Sequence, residues 1–212
     1  EIIQNYGADT ARLFILFAAP PAKDLEWNSQ GVEGCSRFLK RVWRIFDDFL
    51  NEIKSAEPIP DGYETDSQEL RKLRRLTHLT IRRVTDDIQI RMQFNTAISA
   101  IMELVNHLYV FRDEWVSFKK DGDEVKAVIR ESFDVLILLL YPFAPHITEE
   151  MWSLLGYETS IAQVAWPISK SWGNHRAAAR VRCNAQTGSL LTYPYPPLVA
   201  AGPTAAHALP AP

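Results

Sequence analysis

The chain is short of several things, and each shortage narrows what it can be. Its 212 residues hold two cysteines, Cys35 and Cys183, and neither sits in a CxxC pair or beside a second Cys or His pair. A zinc site is therefore not expected, and a reducing, cytoplasmic setting fits. The longest apolar run, Val135 to Tyr141, stops at Pro142, whereas a membrane span needs roughly 18 or more apolar residues. No Gly-rich loop of the kind that cradles nucleotide phosphates is present, so ATP is a poor ligand for this chain. No stretch alternates with period two, so strands are not expected. Ser, Cys and His form no nucleophile-and-base arrangement, and no catalytic constellation is visible. The sequence opens on Glu1-Ile2-Ile3 with neither an initiator Met nor an apolar leader, which predicts a fragment or a processed chain. Finally, residues 168–212 contain no Asp or Glu.

What remains is helical. Hydrophobic residues make up 47% and charged residues 23%, an ordinary globular balance. Asp9 suits the N-cap of a helix through "TARLFILFAA", apolar nearly all round and hence predicted to be buried. Pro20-Pro21 ends it, and "AKDLEWN" reads as a loop. A long helix is predicted from Ser29 to about Lys54. Asp66 and Glu69 have capping-box spacing ahead of a second helix, with Leu70, Leu73, Leu76 or Thr77, Thr80, Val84 and Ile88 at helical spacing. A third helix is predicted from Met92 to Phe118 and a fourth from about Glu124 to Leu140. A shorter one, "HITEEMWSLL", has Pro145 in its first turn and ends at Gly156. Residues 29–156 thus read as an all-α, antiparallel bundle, preceded by a linker helix and loop (1–28) and followed by a trailing segment (157–167). Residues 168–212, with ten Ala and six Pro, have no sustained period. They read as an irregular tail, either disordered or the product of a shifted reading frame or a sequence-record artefact.

Formal net charge is -3, yet "SRFLKRVWR" concentrates Arg37, Lys40, Arg41 and Arg44 in eight residues. On a helix these follow i, i+3, i+4, i+7 and share one stripe about 100° wide. Phe38, Val42, Ile45, Phe46, Phe49 and Ile53 lie opposite. Glu33 can pair with Arg37, and Asp47 or Asp48 with Arg44, each pair contributing about 0.2–0.5 kcal/mol. Lys40 and Arg41 have no acid three or four residues away. The stripe is thus either a solvated polar face or an anion-binding surface. A second basic line, Arg71, Arg75, His78 and Arg82 with Lys72, Arg74 and Arg83 nearby, favours a ligand with a phosphate backbone. In "PHITEEMW", Glu149 and Glu150 point about 100° apart and no second His completes a metal pair, so these acids read as helix-dipole partners. His78 and His107 read as packing or polar-face residues.

"YGADTARLFILFAAPPAKDLEWNSQGVEGCSRFLKRVW" strongly resembles the stretch after the KMSKS loop of bacterial-type leucyl-tRNA synthetases. "RRVTDDIQIRMQFNTAISAIMELVN" and "YPFAPHITEEMWSLLG" resemble that family's bundle helices. The resemblance covers Glu1 to about Pro167. It implies a bundle of the class I synthetase anticodon-binding type, and a partner, tRNA-Leu, held by its body and inner corner. The family's tRNA-contacting arginines fall on Arg37 and Arg41; the wheel adds Lys40 and Arg44. ATP and Mg2+ would serve the full-length parent, whose catalytic and C-terminal domains are further expected partners. This piece itself is expected to hold no cofactor, no metal and no catalytic residue, to be a monomer and to leave the membrane alone. The equivalent bundle of a valyl or isoleucyl enzyme, and a non-enzymatic helical interaction module, stay open as alternatives.

Overall fold

The computed structural model describes residues 2–18, 28–60, 63, 65–118 and 122–170. Most of the expected "AKDLEWN" loop and of the Ala/Pro-rich tail lies outside the described residues. Among them run seven α-helices: α1 (Ile2–Tyr6), α2 (Ala8–Ala18), α3 (Ser29–Lys54), α4 (Gln68–Gln89), α5 (Phe94–Phe118), α6 (Asp123–Leu140) and α7 (Pro145–Leu154), with one 3-10 turn at Ile161–Gln163. No described helix is long and apolar enough to cross a membrane.

Side-chain pairings fix the directions of the four long helices. Arg41 of α3 meets Asn106 of α5, and Asp48, two turns on, meets Arg112, so α3 and α5 run parallel. A tight turn reverses the chain between α4 and α5. Phe46 packs on Phe133 while Ile53 accepts from Arg130, so α3 and α6 run antiparallel. The result is an up-down-up-down bundle. Its middle is aromatic: Phe133 lies edge-on to Phe46 at 5.9 Å and tilted to Phe49 at 5.7 Å, and Phe49 stacks on Trp115 at 5.3 Å. Around them Val42, Ile45, Ile98, Ile101, Leu108, Val128 and Leu136 are fully buried. The apolar face read from the α3 wheel is thus the core face.

The ends of α3 match the sequence pattern, and the reasons are local. Asn28 is the N-cap, accepting from the backbone N–H of Gln30 at 2.9 Å and of Gly31 at 3.3 Å. Gly31 lets Phe14 of α2 pack closely on α3: a Cβ there would lie 2.8 Å from the Phe14 ring.

Four local expectations are corrected. The cap of α4 is Ser67, one residue past the expected Asp66. Its hydroxyl accepts from Leu70 N–H at 3.4 Å and donates to Glu69 at 2.7 Å, while Thr65 Oγ1 holds the Ser67 N–H at 3.1 Å. Next, α5 begins at Phe94 rather than Met92. Met92 takes φ +54°, the left-handed region, and the Gln93 N–H turns back to the Asp87 carbonyl at 2.9 Å, closing α4 first. Third, α2 is not buried all round: Leu13 and Phe14 are buried, but Ile15 is 56% exposed.

The fourth correction concerns Asp9. It lies inside the first turn of α2 and caps a different helix. One carboxylate oxygen accepts from the Ile147 N–H at 2.7 Å; the other accepts from the His146 N–H at 3.2 Å and lies 2.7 Å from His146 Nδ1. Residue 9 thus satisfies the first free N–H groups of α7 across the bundle, where Ala144 offers no side-chain cap. Asp9→Ala is expected to cost about 1 kcal/mol, the usual worth of an N-cap. Its signature is faster amide exchange confined to the start of α7.

After α7 the chain turns at Gly156, φ +91°, and straps back over the bundle. Tyr157 stacks on Trp152 at 3.7 Å, and its hydroxyl donates to Asp134 at 3.1 Å. Trp166 Nε1 donates to Thr85 of α4 at 2.8 Å, and the Lys170 N–H to His78 Nδ1 at 3.3 Å.

Candidate nucleic-acid interface

All four cations of the α3 stripe, Arg37, Lys40, Arg41 and Arg44, are exposed. They do not share one environment. Arg37 pairs with Glu33 at 3.6 Å as its spacing suggests, an exposed pair that a ligand can displace at small cost. Arg41 leans the other way, onto α5. Its Nη2 donates to Asn106 Oδ1 at 2.9 Å, and its guanidinium lies 4.9 Å from the centre of the Tyr109 ring. The Tyr109 hydroxyl in turn donates to the Arg41 backbone carbonyl at 2.9 Å. Arg112 sits 4.8 Å from the same ring.

Arg44 departs from its expected pairing. Asp48 is taken by Arg112 at 2.7 Å, with Asp113 closing on the same guanidinium at 2.9 Å. Among the described residues neither Arg44 nor Lys40 has an ion-pair partner. Both point instead into a cleft of about 800 Å³ bounded by Tyr6, Asp9, Trp43 and His146. Arg37 and Arg41 do not line it.

Asn106, Tyr109 and Arg112 are the residues that sequence reasoning missed. Their i, i+3, i+6 spacing puts them on one stripe of α5, a signal present in the sequence. Which helix that stripe faces is settled only by the fold.

The second basic line is split between the bundle interior and the surface. Arg74 is 1% exposed. It makes two bonds to Glu131 of α6, at 2.7 and 3.2 Å, and a third to the Tyr63 carbonyl at 3.0 Å. His78 is buried beside it, Nε2 3.4 Å from Glu131. Burial alone would raise the Glu131 carboxyl, but His78 and Arg74 outweigh it and hold it at about 2. Arg71 donates to the Thr65 carbonyl at 2.7 Å, and Arg83 pairs with Glu103. Lys72, Arg75 and Arg82 remain outward. Arg74 and His78 thus belong to a network inside the bundle, while Arg71 and Arg83, though paired, are exposed like Lys72, Arg75 and Arg82.

Elsewhere, Glu149 turns to Ser160 at 2.5 Å, away from His146. No group of three metal-ligating side chains occurs among the described residues. Cys35 is buried, and burial pushes its thiol up to about 11.

A parallel-and-antiparallel helical bundle with an arginine-bearing outer helix has clear relatives. The chain belongs to the family described as the anticodon-binding domain of tRNA ligase, which matches residues 71–189. That match runs past Pro167 into the segment set apart by its composition. The individual relatives are leucine–tRNA ligases: one from Syntrophus aciditrophicus is 50% identical over 168 residues, and one from Geobacter sp. strain M21 is 49% identical over 167. They cover 79% and 78% of this chain, which spans only 19% of either relative. Among solved structures, the LeuRS of Agrobacterium radiobacter K84 in a ternary complex with tRNA and LeuAMS superimposes with a TM-score of 0.67 at 34% identity. It covers 79% of this chain and 21% of its own. Free methionyl-tRNA synthetase of Mycobacterium tuberculosis shares the fold, with a TM-score of 0.54 at 16% identity over 73% of this chain and 34% of its own.

Proposed function

We propose that this chain is the tRNA-positioning bundle of a leucine–tRNA ligase, holding the body of tRNA-Leu while catalytic parts of the same polypeptide act on its 3′ end. There leucine would be activated with ATP and Mg2+ and esterified to the tRNA, in the cytoplasm. The observation that carries the reading is the outward cation row of α3: Arg37, Lys40, Arg41 and Arg44, with Arg41 held in place by Asn106 and Tyr109. Phosphate contacts of this kind position an RNA without reading its sequence. The likeness to leucine–tRNA ligases, and to a LeuRS whose structure includes tRNA, supports the same ligand.

Binding of tRNA-Leu transcript to the purified chain across a salt series tests this. Log affinity is expected to fall linearly with log salt, with a slope reflecting several neutralised phosphates. A flat response would point to an apolar protein-binding module instead.

A further inference from the structure

The cationic stripe divides where α3 passes the cleft, and the two halves meet different surroundings. We infer that the cleft between α1, α2, α3 and α7 is a seat for one unstacked nucleotide of the RNA. Its phosphate would rest on Lys40 and Arg44 and its base against Trp43. The inference rests on the RNA-binding reading above and adds a second point of contact to it.

Four observations converge. The cleft is open to solvent, and its volume, about 800 Å³, is large enough to admit a nucleotide. Lys40 and Arg44 are one helical turn apart, about 6 Å along the axis, and line its α3 wall, and neither makes an ion pair among the described residues. Trp43, half-buried, lines the same wall, its ring backed by Phe46 at 6.1 Å. A ring fixed from behind and open in front is the kind of platform on which unpaired RNA bases stack. The lining also holds two carboxylates, of which one is already committed. Asp9 is committed to the α7 N–H groups and to His146. Asp47 has no partner among the described residues and can accept from a ribose hydroxyl or a base amine. A nucleotide satisfies the anionic, aromatic and hydrogen-bond-donating demands together; an apolar segment would leave both cations uncompensated.

The test compares tRNA-Leu transcript with a fully paired RNA duplex, using the whole chain and three variants. Lys40→Ala/Arg44→Ala is expected to lower tRNA affinity about tenfold and flatten the salt slope by about 1 to 2. Trp43→Phe preserves the packing on Phe46. It is expected to lower tRNA affinity several-fold, leave the salt slope unchanged and leave duplex binding unchanged. Arg41→Ala is the reference. If Arg41→Ala weakens tRNA binding but the double variant or Trp43→Phe does not, the nucleotide seat is overturned. If Arg41→Ala also has no effect, the wider RNA reading falls with it.

Discussion

Alanine at Arg74 is expected to cost about 3–5 kcal/mol of folding free energy, the largest loss from any one charged residue described above. The size follows from what would be left behind. Arg74 is 1% exposed and satisfies both oxygens of Glu131 and the Tyr63 carbonyl. Without it a carboxylate at the α4–α6 seam loses its counter-charge in a place that water reaches poorly. The net worth of the pair is a separate matter, because desolvating two charges consumes most of what their attraction returns. Urea unfolding of Arg74→Ala and of Arg74→Met/Glu131→Leu separates the two. The single variant should lose several kcal/mol, and the apolar pair should recover most of it. Equal loss in both would show that shape, not charge, governs the seam.

The same network gives acid sensitivity with a definite sign. Glu131 titrates at about 2 in the folded chain against an ordinary 4.5. A carboxyl lowered by folding stabilises the fold above its unfolded value, and that contribution is lost as pH falls through the folded one. Between about pH 4.5 and pH 2 the wild type should therefore lose on the order of 2 kcal/mol from this group, after allowing for its partial contact with water. Glu131→Gln should lack that part of the slope.

Arg41→Ala should weaken tRNA-Leu binding about 10- to 100-fold, more than the same change at Arg37. A charge-assisted bond to phosphate contributes about 1.5–3 kcal/mol net, which sets the range. Arg41 sits near its top because its side chain is already ordered by Asn106 and Tyr109. Less rotamer freedom is then lost on binding. Arg37 is held only by an exposed pair with Glu33, so its alanine variant should cost only a few-fold. Arg41→Lys keeps the charge but forfeits the planar fork that meets Asn106 and stacks on Tyr109. It should retain the salt slope while losing most of the affinity, whereas Arg41→Ala should lower the slope by about 1. An unchanged affinity for Arg41→Ala would remove Arg41 from the interface.

The wheel made α3 legible because a helix's angular order is a local property. Phe38, Val42, Phe46 and Phe49 are buried as their spacing requires, and the stripe opposite is outward. Legibility ended where a neighbour had to be known. Arg41 was picked out for lacking a local acid, and its partner proved to be a neutral amide 65 residues away. Spacing offers Arg44 either Asp47 or Asp48, but α5 brings Arg112 to Asp48 and Asp47 makes no ion pair among the described residues. Arg74 reads as one more cation of the basic line, because nothing in α4 announces that Glu131, 57 residues beyond it, will draw it inward. Asp9 has the composition of a cap and is one, but for a helix 137 residues downstream. Spacing gives direction around a helix axis; which surface lies in that direction depends on the assembled bundle.

The strap from α7 also fixes an order of events during synthesis. Trp166 reaches back 81 residues to Thr85, and Lys170 reaches back 92 to His78. At about 5–20 residues per second, Thr85 is made about 4–16 s before the tryptophan that tethers to it. Through that interval the outer edge of α4 has neither of these contacts. A nascent chain stalled between α7 and Trp166 would carry its four long helices and still lack the clasp that finishes the seam around Arg74.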